Sequence, residues 1–272
     1  MSLWIWILHQ LYRYKFLCVS QMETLWIGVS KKTIYKSLWS LRERNLIWST
    51  KYKYNPERWK LEDIHFLKPT WKDLVIRHFG YSEDDIKIQQ QHKWFYDDYA
   101  HRKQTIACMI ALDQHCDNLS IERFSYYQYF ETDKRPDKKY RQKATKIEVS
   151  DGHIVPDTVI VAKCQKVQLL LCLELHKGYR VKKIVQQLKR YAYVLASGAA
   201  SEVFKVDSNP YILTVFEKES TMRTTLERMK KDTFYTYIKQ YYLFKTYDDF
   251  VKDPLQHWIN LKDDIVSLLN LW

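Results

Sequence analysis

The sequence predicts a mixed chain of helices and strands, of the α/β (α+β) class, organised in two parts. Two apolar runs in its second half, Thr158–Ala162 and Val167–Leu173, are separated by a short polar break and predict a buried β-hairpin. The first part instead shows helical spacing of its apolar residues. The polar stretch Ser82–Lys93 is the best linker candidate. We therefore expect one domain over residues 1–90 and a second over residues 91–272.

The composition favours a folded protein with an anionic partner. Hydrophobic residues make up 46% of the 272 residues, and 5 Gly and 6 Pro are too few for long flexible linkers. The net charge of +12 suits nucleic acid or an acidic membrane surface. Residues 1–60 hold 11 Lys and Arg against 3 acidic residues, so the positive charge is concentrated at the start of the chain.

The cysteines and the apolar N-terminus indicate a cytoplasmic protein. The five cysteines are scattered and never form a CxxC pair, which favours small apolar side chains in a reducing compartment over disulfides or a zinc site. Leu3–Leu8 is apolar but far too short to span a bilayer. We expect no membrane segment.

Three helices are predicted in the first 45 residues. Leu3–Tyr14 has helical spacing, with Ile5, Leu8, Leu11 and Tyr12 on one side. Ser20 is expected to cap a second helix, Gln21–Ile27, which Gly28 would end. Ser30 is expected to cap a third, Lys31–Asn45, in which Ile34, Leu38 and Leu41 form the buried stripe.

A basic and aromatic surface is predicted around this third helix. Its outer face carries cations and aromatic rings, and the following segments Leu46–Trp48, Lys51–Tyr54 and Arg58–Lys60 are typical of a β-wing. This order predicts a winged helix-turn-helix that binds double-stranded DNA. The candidate DNA-binding residues are Lys31, Lys32, Tyr35, Lys36, Trp39, Lys51, Lys53 and Arg58. The alternative is a three-helix interaction module with a solvated basic face.

The second part begins with a predicted helix, Asp98–Cys116, whose Thr105, Cys108, Met109 and Leu112 face inward, and a strand within Leu119–Phe130. The run Lys134–Lys146 then contains seven Lys or Arg and one acid. It is either a solvated loop or a contact for a phosphate backbone, through Lys138, Lys139 and Arg141. The elements predicted after the hairpin are, in order, a helix at Arg180–Leu195, a strand at Tyr211–Phe216, a helix at Ser220–Lys231 and a strand at Tyr241–Lys245.

Two acidic residues flank the hairpin. Asp157 opens its first strand and Glu174 ends its second, so antiparallel pairing should place both carboxylates at the same end. Paired carboxylates of this kind are typical ligands of Mg²⁺ or Mn²⁺. The alternative is that Asp157 merely starts a strand and Glu174 is solvated.

The pattern Pro156-Asp157 followed by Glu174-Leu175-His176 resembles the core of PD-(D/E)xK nucleases, and Gln187 with Tyr191 resembles the QxxxY motif of some members. The resemblance implies an αβββαβ core in which Asp157 and Glu174 hold the metal ion. The lysine of the pattern is replaced by His176. Lys177 or Lys183 would then neutralise the developing charge, while Gln187 and Tyr191 orient the site.

The order of the two parts resembles the replication-relaxation family of plasmids and other mobile elements, related to MobC-type relaxases. The resemblance extends from the helix-and-wing region to the closing segment Phe244–Leu255. It implies a DNA-binding, DNA-nicking protein with magnesium as cofactor, and its candidate partners are other mobilisation or replication proteins and a second copy of the chain. The alternative is a non-catalytic DNA-binding accessory or replication regulator, which the displaced lysine favours.

Overall fold

The fold is taken from a computed structural model, which describes residues 2–25, 30–50, 61–79, 98–116, 123–133, 142–150, 152–164 and 167–271. The chain divides into two compact units, Met1–Ile110 and Ala111–Trp272. The predicted linker and the boundary near residue 90 lie outside the described residues, as does the predicted turn at Gly28.

The first unit combines helices with a small three-stranded antiparallel sheet. A 3₁₀ helix, Pro69–Trp71, precedes its fourth helix. Its elements are α1 (Leu3–Tyr14), β1 (Leu17–Cys18), α2 (Val19–Leu25), α3 (Lys31–Glu43), β2 (Ile47–Thr50), β3 (Ile64–Leu67), α4 (Lys72–Phe79) and the greater part of α5 (Tyr99–Cys116).

The third predicted helix is confirmed with its cap and its buried face. The Ser30 hydroxyl accepts a hydrogen bond from the Thr33 backbone N–H at 3.3 Å, which satisfies one of the amides left unpaired at a helix start. Ile34, Leu38 and Leu41 are all buried, as their spacing predicts. The helix ends two residues earlier than expected, at Glu43.

The helix Leu3–Tyr14 and the burial of its Leu8 and Leu11 are confirmed, but two other details predicted for the first two helices were wrong. The buried face of α1 is formed by Ile7, Leu8, Leu11 and Tyr14, whereas Ile5 and Tyr12 are only partly buried. α2 begins at Val19, so Ser20 lies inside the helix and does not cap it. Its backbone N–H and hydroxyl instead donate to Glu62, a partner 42 residues away that local sequence reasoning cannot anticipate.

The second unit is built on a seven-stranded mixed sheet, and two of the unit's helices pack against one face of this sheet. Its strands are β4 (Arg123–Gln128), β5 (Thr132–Asp133), β6 (Gln142–Lys143), β7 (Ile147–Val149), β8 (Gly152–Ile154), β9 (Thr158–Cys164), β10 (Val167–His176), β11 (Tyr211–Phe216), β12 (Tyr242–Thr246), β13 (Trp258–Asn260) and β14 (Ile265–Val266). Its helices are α6 (Val181–Ser197), α7 (Ala199–Phe204), α8 (Glu219–Lys231) and α9 (Tyr247–Lys252), with 3₁₀ turns at Thr233–Tyr235, Lys239–Tyr241 and Leu268–Leu271.

The strand order β14-β13-β12-β11-β10-β9-β4 places β10 and β11 at the centre of the sheet. The β10–β11 and β11–β12 pairs are parallel, and the remaining pairs of this sheet are antiparallel. The strands β5–β6 and β7–β8 form two separate antiparallel ribbons. The predicted mixed class of helices and strands is therefore confirmed.

The core of the second unit lies between this sheet and α6. Ile184, Leu188 and Tyr191 recur at helical spacing on one face of α6 and pack with Leu170 and Cys172, which recur at strand spacing on β10. The two periodicities bring two apolar faces together. Each fully buried leucine or isoleucine contributes roughly 1.5–3 kcal/mol relative to an exposed one, so this interface fixes how α6 lies over β10.

Candidate functional site

The two predicted acids meet at one end of the β9–β10 hairpin. Thr158 pairs with Leu173, so the register continues to Asp157 opposite Glu174. The backbone N–H of Leu175 donates to Asp157 Oδ2 at 2.8 Å, which fixes the aspartate against the neighbouring strand. The acids therefore form a pair at the hairpin end, as the sequence predicts.

Glu174 is buried and receives one hydrogen bond on each carboxylate oxygen. Its relative exposure is 2%. The side-chain amide of Gln187 donates to Oε2 at 2.7 Å, and the hydroxyl of Tyr191 donates to Oε1. Gln187 and Tyr191 are one turn apart on α6, so both reach the same side of β10. The helix thus positions the glutamate as well as covering the strand.

Burial raises the pKa of the Glu174 carboxyl well above its ordinary value, and the nearby Asp157 carboxylate raises it further. The hydrogen bonds from Tyr191 and Gln187 oppose this shift but are outweighed. The pKa of Tyr191 is also raised, first by burial and then by the charge of Glu174. Tyr191 is fully buried and remains a neutral hydroxyl donor, so its place in the structure suits positioning and does not suit nucleophilic attack on DNA.

The three basic candidates near the acids have different positions. His176 is the last residue of β10, is buried, and packs its ring against Phe216 with centroids 4.9 Å apart. Lys177 follows the end of the strand and is partly buried, while Lys183 is exposed in the first turn of α6. Among the described residues, the side chains that donate to Glu174 are Gln187 and Tyr191. A lysine is not among them.

The acid pair fits a magnesium ion in its donor chemistry. Mg²⁺ is commonly held by one or two carboxylates, with water and substrate phosphate completing its coordination. Each oxygen of Glu174 accepts a single hydrogen bond and keeps a lone pair in another direction. A cation would also offset the repulsion from Asp157, which adds to burial in raising the pKa of Glu174. Over the residues that the structure describes, no group of three or more His, Cys, Asp or Glu side chains is arranged to hold a metal ion.

The predicted DNA-binding face of α3 is exposed. Tyr35 and Trp39 are large aromatic residues open to solvent, with Lys32 and Lys36 beside them in the sequence. Lys31 forms a salt bridge with Glu23 at 3.2 Å, so its charge is partly neutralised. The aromatic rings and the remaining cations therefore stand on the surface opposite the buried stripe.

The other predicted DNA contacts lie outside the described residues. They are Lys51, Lys53 and Arg58 in the expected wing and Lys138, Lys139 and Arg141 in the basic run. Four cations of the α6 region were not predicted from the sequence as contacts, namely Arg180, Lys182, Lys189 and Arg190. The available signal was the absence of any acid between Leu175 and Ser201.

Comparison of the chain with protein-family models, with curated proteins and with solved structures gave no match. Within the described parts of the chain, every helix is too short or too polar to cross a bilayer.

Proposed function

We propose that this chain is a DNA-binding protein of a plasmid or other mobile element whose C-terminal unit nicks DNA with the help of magnesium. The observation that carries the proposal is the pairing of Asp157 with Glu174 at the end of the β9–β10 hairpin, with Gln187 and Tyr191 fixing Glu174. These four residues are the metal-binding acids and the QxxxY pair that the resemblance to PD-(D/E)xK nucleases implies, while His176 stands where the pattern has lysine.

The first unit supports DNA binding. The order of its elements is that expected of a winged helix. A helix, a strand, two helices and two strands follow one another, and β3 lies between β1 and β2 in the sheet. In that fold the third helix enters the major groove. The exposed Lys32, Tyr35, Lys36 and Trp39 of α3 would then face the DNA, and the lysines would contact phosphates.

In the proposed reaction, Asp157 and Glu174 would hold the cation. A bound magnesium ion supplies charge stabilisation at the scissile phosphate and activates a water molecule. Gln187 and Tyr191 keep the Glu174 carboxylate in one orientation, and Leu175 does the same for Asp157 through its backbone N–H. Because Tyr191 is buried, water is the nucleophile that the site favours.

A second candidate is a DNA-binding accessory protein that keeps the fold without the chemistry. It is favoured by the absence of a lysine among the described donors to Glu174 and by the burial of His176 at the position where the nuclease pattern has lysine. In this case the Asp157–Glu174 pair would be a structural remnant, and the N-terminal unit would carry the whole function.

The nicking of supercoiled plasmid DNA distinguishes the two candidates. Asp157→Asn should abolish magnesium-dependent nicking while leaving duplex binding intact. We also expect magnesium or manganese to raise the Tm of the wild type and not that of the variant, because only a protein that binds the cation is stabilised by it. The matched control is Asp248→Asn, which neutralises an exposed aspartate of α9 and should nick like the wild type. If the wild type never nicks DNA and gains no stability from either cation, the nuclease is excluded and the accessory role is supported.

Duplex binding by α3 is tested by its salt dependence. Replacing Lys32 and Lys36 by Ala should weaken binding and reduce the slope of log K against log salt by about 1.8, or about 0.9 for each phosphate contact. The double variant Lys252→Ala, Lys262→Ala removes the same charge from exposed sites in the other unit and serves as control. Equal slopes for the two double variants would exclude α3 as the DNA-reading helix.

A further inference from the structure

The outer face of α6 belongs to a strongly basic segment of the described chain. Between Leu175 and Ser201 there are six Lys or Arg residues and no Asp or Glu. Most of them are exposed, and the inner side of the helix is occupied by the apolar residues of the core. The six are Lys177, Arg180, Lys182, Lys183, Lys189 and Arg190.

Exposed aromatic rings accompany these cations. Tyr179 stands just before the helix at 75% exposure, and Tyr193 lies on the helix at 42%. Phe234, at 37% exposure, lies beside Tyr193 with ring centroids 6.4 Å apart. The amino group of Lys189 lies 4.2 Å from the Phe234 ring centroid and also pairs with Asp232 at 3.1 Å. The surface thus combines exposed aromatic rings with positive charge, and Asp232 is a nearby acid.

The placement of the cations does not serve the stability of the helix. Positive side chains are unfavourable near a helix N-terminus, where the backbone dipole is itself positive. α6 nevertheless has Lys182 and Lys183 in its first turn, no acid there, and Arg180 at the N-cap without a capping side-chain hydrogen bond. A negatively charged partner lying on this face would turn the unfavourable arrangement into a favourable one.

We propose that the outer face of α6, with Tyr179, Tyr193 and Phe234, binds a single strand of DNA. A basic track with interspersed aromatic rings is the arrangement used to hold an unpaired strand, because its cations contact phosphates and its rings stack on bases. Duplex DNA offers no unstacked bases to such rings. A membrane surface is a poorer match, since the exposed residues of the outer face of α6 up to Arg190 are all polar, namely Lys182, Lys183, Gln186 and Arg190.

The same helix would then serve two purposes. Its inner side fixes Glu174 through Gln187 and Tyr191, and its outer side would hold the strand that results from local opening of the duplex. This inference rests on the proposed function in taking DNA as the polyanion. It does not require that the Asp157–Glu174 pair is catalytic, because an accessory protein could hold a strand in the same way.

The test is the binding of fluorescently labelled oligo(dT) by the full chain, compared with a labelled hairpin duplex of similar length. Tyr193→Ser should weaken oligo(dT) binding by about fivefold or more, the loss expected for one stacked base. Lys182→Ala should reduce the salt slope by about 0.7, the value for one phosphate contact of a single strand. Duplex binding should be unchanged in both, and the control Lys252→Ala should bind both probes like the wild type.

The opposite pattern is expected when Lys32 and Lys36 are replaced, with duplex binding weakened and oligo(dT) binding retained. Unchanged oligo(dT) affinity and salt slope in Lys182→Ala would overturn the inference even if Tyr193→Ser failed to fold. The inference would also be overturned if the wild type bound phosphatidylserine vesicles and Lys182→Ala lost this binding while it kept its affinity for oligo(dT). That result would assign the surface to a membrane. A protein that never nicks but shows the expected oligo(dT) losses would overturn the nuclease and support the strand-binding surface.

Discussion

The Tyr191 hydroxyl donates a hydrogen bond to Oε1 of Glu174 inside the core of the second unit, where both side chains are almost completely buried. The two residues are 17 positions apart and come from different elements, α6 and β10. Because the protein interior is less polar than water, such a hydrogen bond is stronger there, and leaving either group unpaired costs more. The orientation of the acid therefore depends on the tyrosine.

We expect Tyr191→Phe to lower the free energy of unfolding at pH 7 by about 1–3 kcal/mol, because it leaves a buried acceptor without one of its two donors. Denaturant unfolding would measure the loss. Tyr193→Phe, a change on the exposed side of the same helix, is the control and should have little effect. Equal midpoints for the two variants would mean that the Tyr191 bond adds nothing to stability.

The raised pKa of Glu174 gives a definite pH dependence. Because the folded-state pKa lies above the unfolded value, the folded protein binds the proton more tightly. The stabilisation that results is complete below the unfolded pKa and is lost as the pH rises through the folded pKa. Glu174→Gln removes this titration, and a flipped Gln187 amide can pair with the new amide group. Its Tm should therefore fall less than that of wild type as the pH rises, and parallel Tm curves would contradict this.

Glu62 gives a pH dependence of opposite sign. Burial would raise its pKa, but hydrogen bonds from Lys103 and Ser20 outweigh burial and lower it to about 2. Its contribution to stability is therefore present above the unfolded pKa and is lost as the pH falls from about 4.5 towards 2. Glu62→Gln should lower the Tm at pH 7 but hardly at pH 2. Glu219→Gln, which breaks an exposed ion pair with Arg223, is the control and should change Tm little.

Lys245 is a buried cation that stabilises the C-terminal segment. Its amino group donates to the carbonyl oxygens of Asp253 and Gln256 and lies 5.5 Å from the Trp258 ring centroid. Burial lowers its pKa, with Asp253 opposing the shift. Lys245→Met should leave both carbonyls unpaired and cost about 1–3 kcal/mol. The control is Lys252→Met, a substitution at an exposed position. Chemical denaturation of both variants would show whether the buried amino group of Lys245 contributes to the free energy of unfolding.

Local sequence signals predicted the elements whose periodicity is strong. The strand Tyr211–Phe216 and the buried stripe of α3 are confirmed because β-branched and helical patterns were unbroken there. The strands β13 and β14 went unpredicted, since two or three residues carry too little periodicity, and the six residues of α7 are fewer than two helical turns. The buried position of Lys245 was equally hidden, because a lysine in a strand is ordinarily read as exposed.

The parts of the candidate site that depend on strand register and on helix spacing could be predicted from the sequence. Hairpin pairing brings Asp157 opposite Glu174, and a four-residue interval puts Gln187 and Tyr191 on one side of α6. The sequence could not show that both oxygens of Glu174 already accept a donor, or that His176 is buried against Phe216. Those facts depend on how α6 and β11 pack onto β10, which only tertiary structure determines.

The strand connections of the second unit set an order for folding. β9 and β10 adjoin in sequence and pair antiparallel, whereas the parallel β10–β11 pair requires the long excursion through α6 and α7. Contacts between residues close in sequence form sooner, because less chain entropy is lost in closing a short loop. Asp157 and Glu174 should therefore come together early, while water still solvates both. Glu174 loses its hydration only when α6 docks. The two carboxylates therefore lie close together in water before Tyr191 and Gln187 form their hydrogen bonds to Glu174.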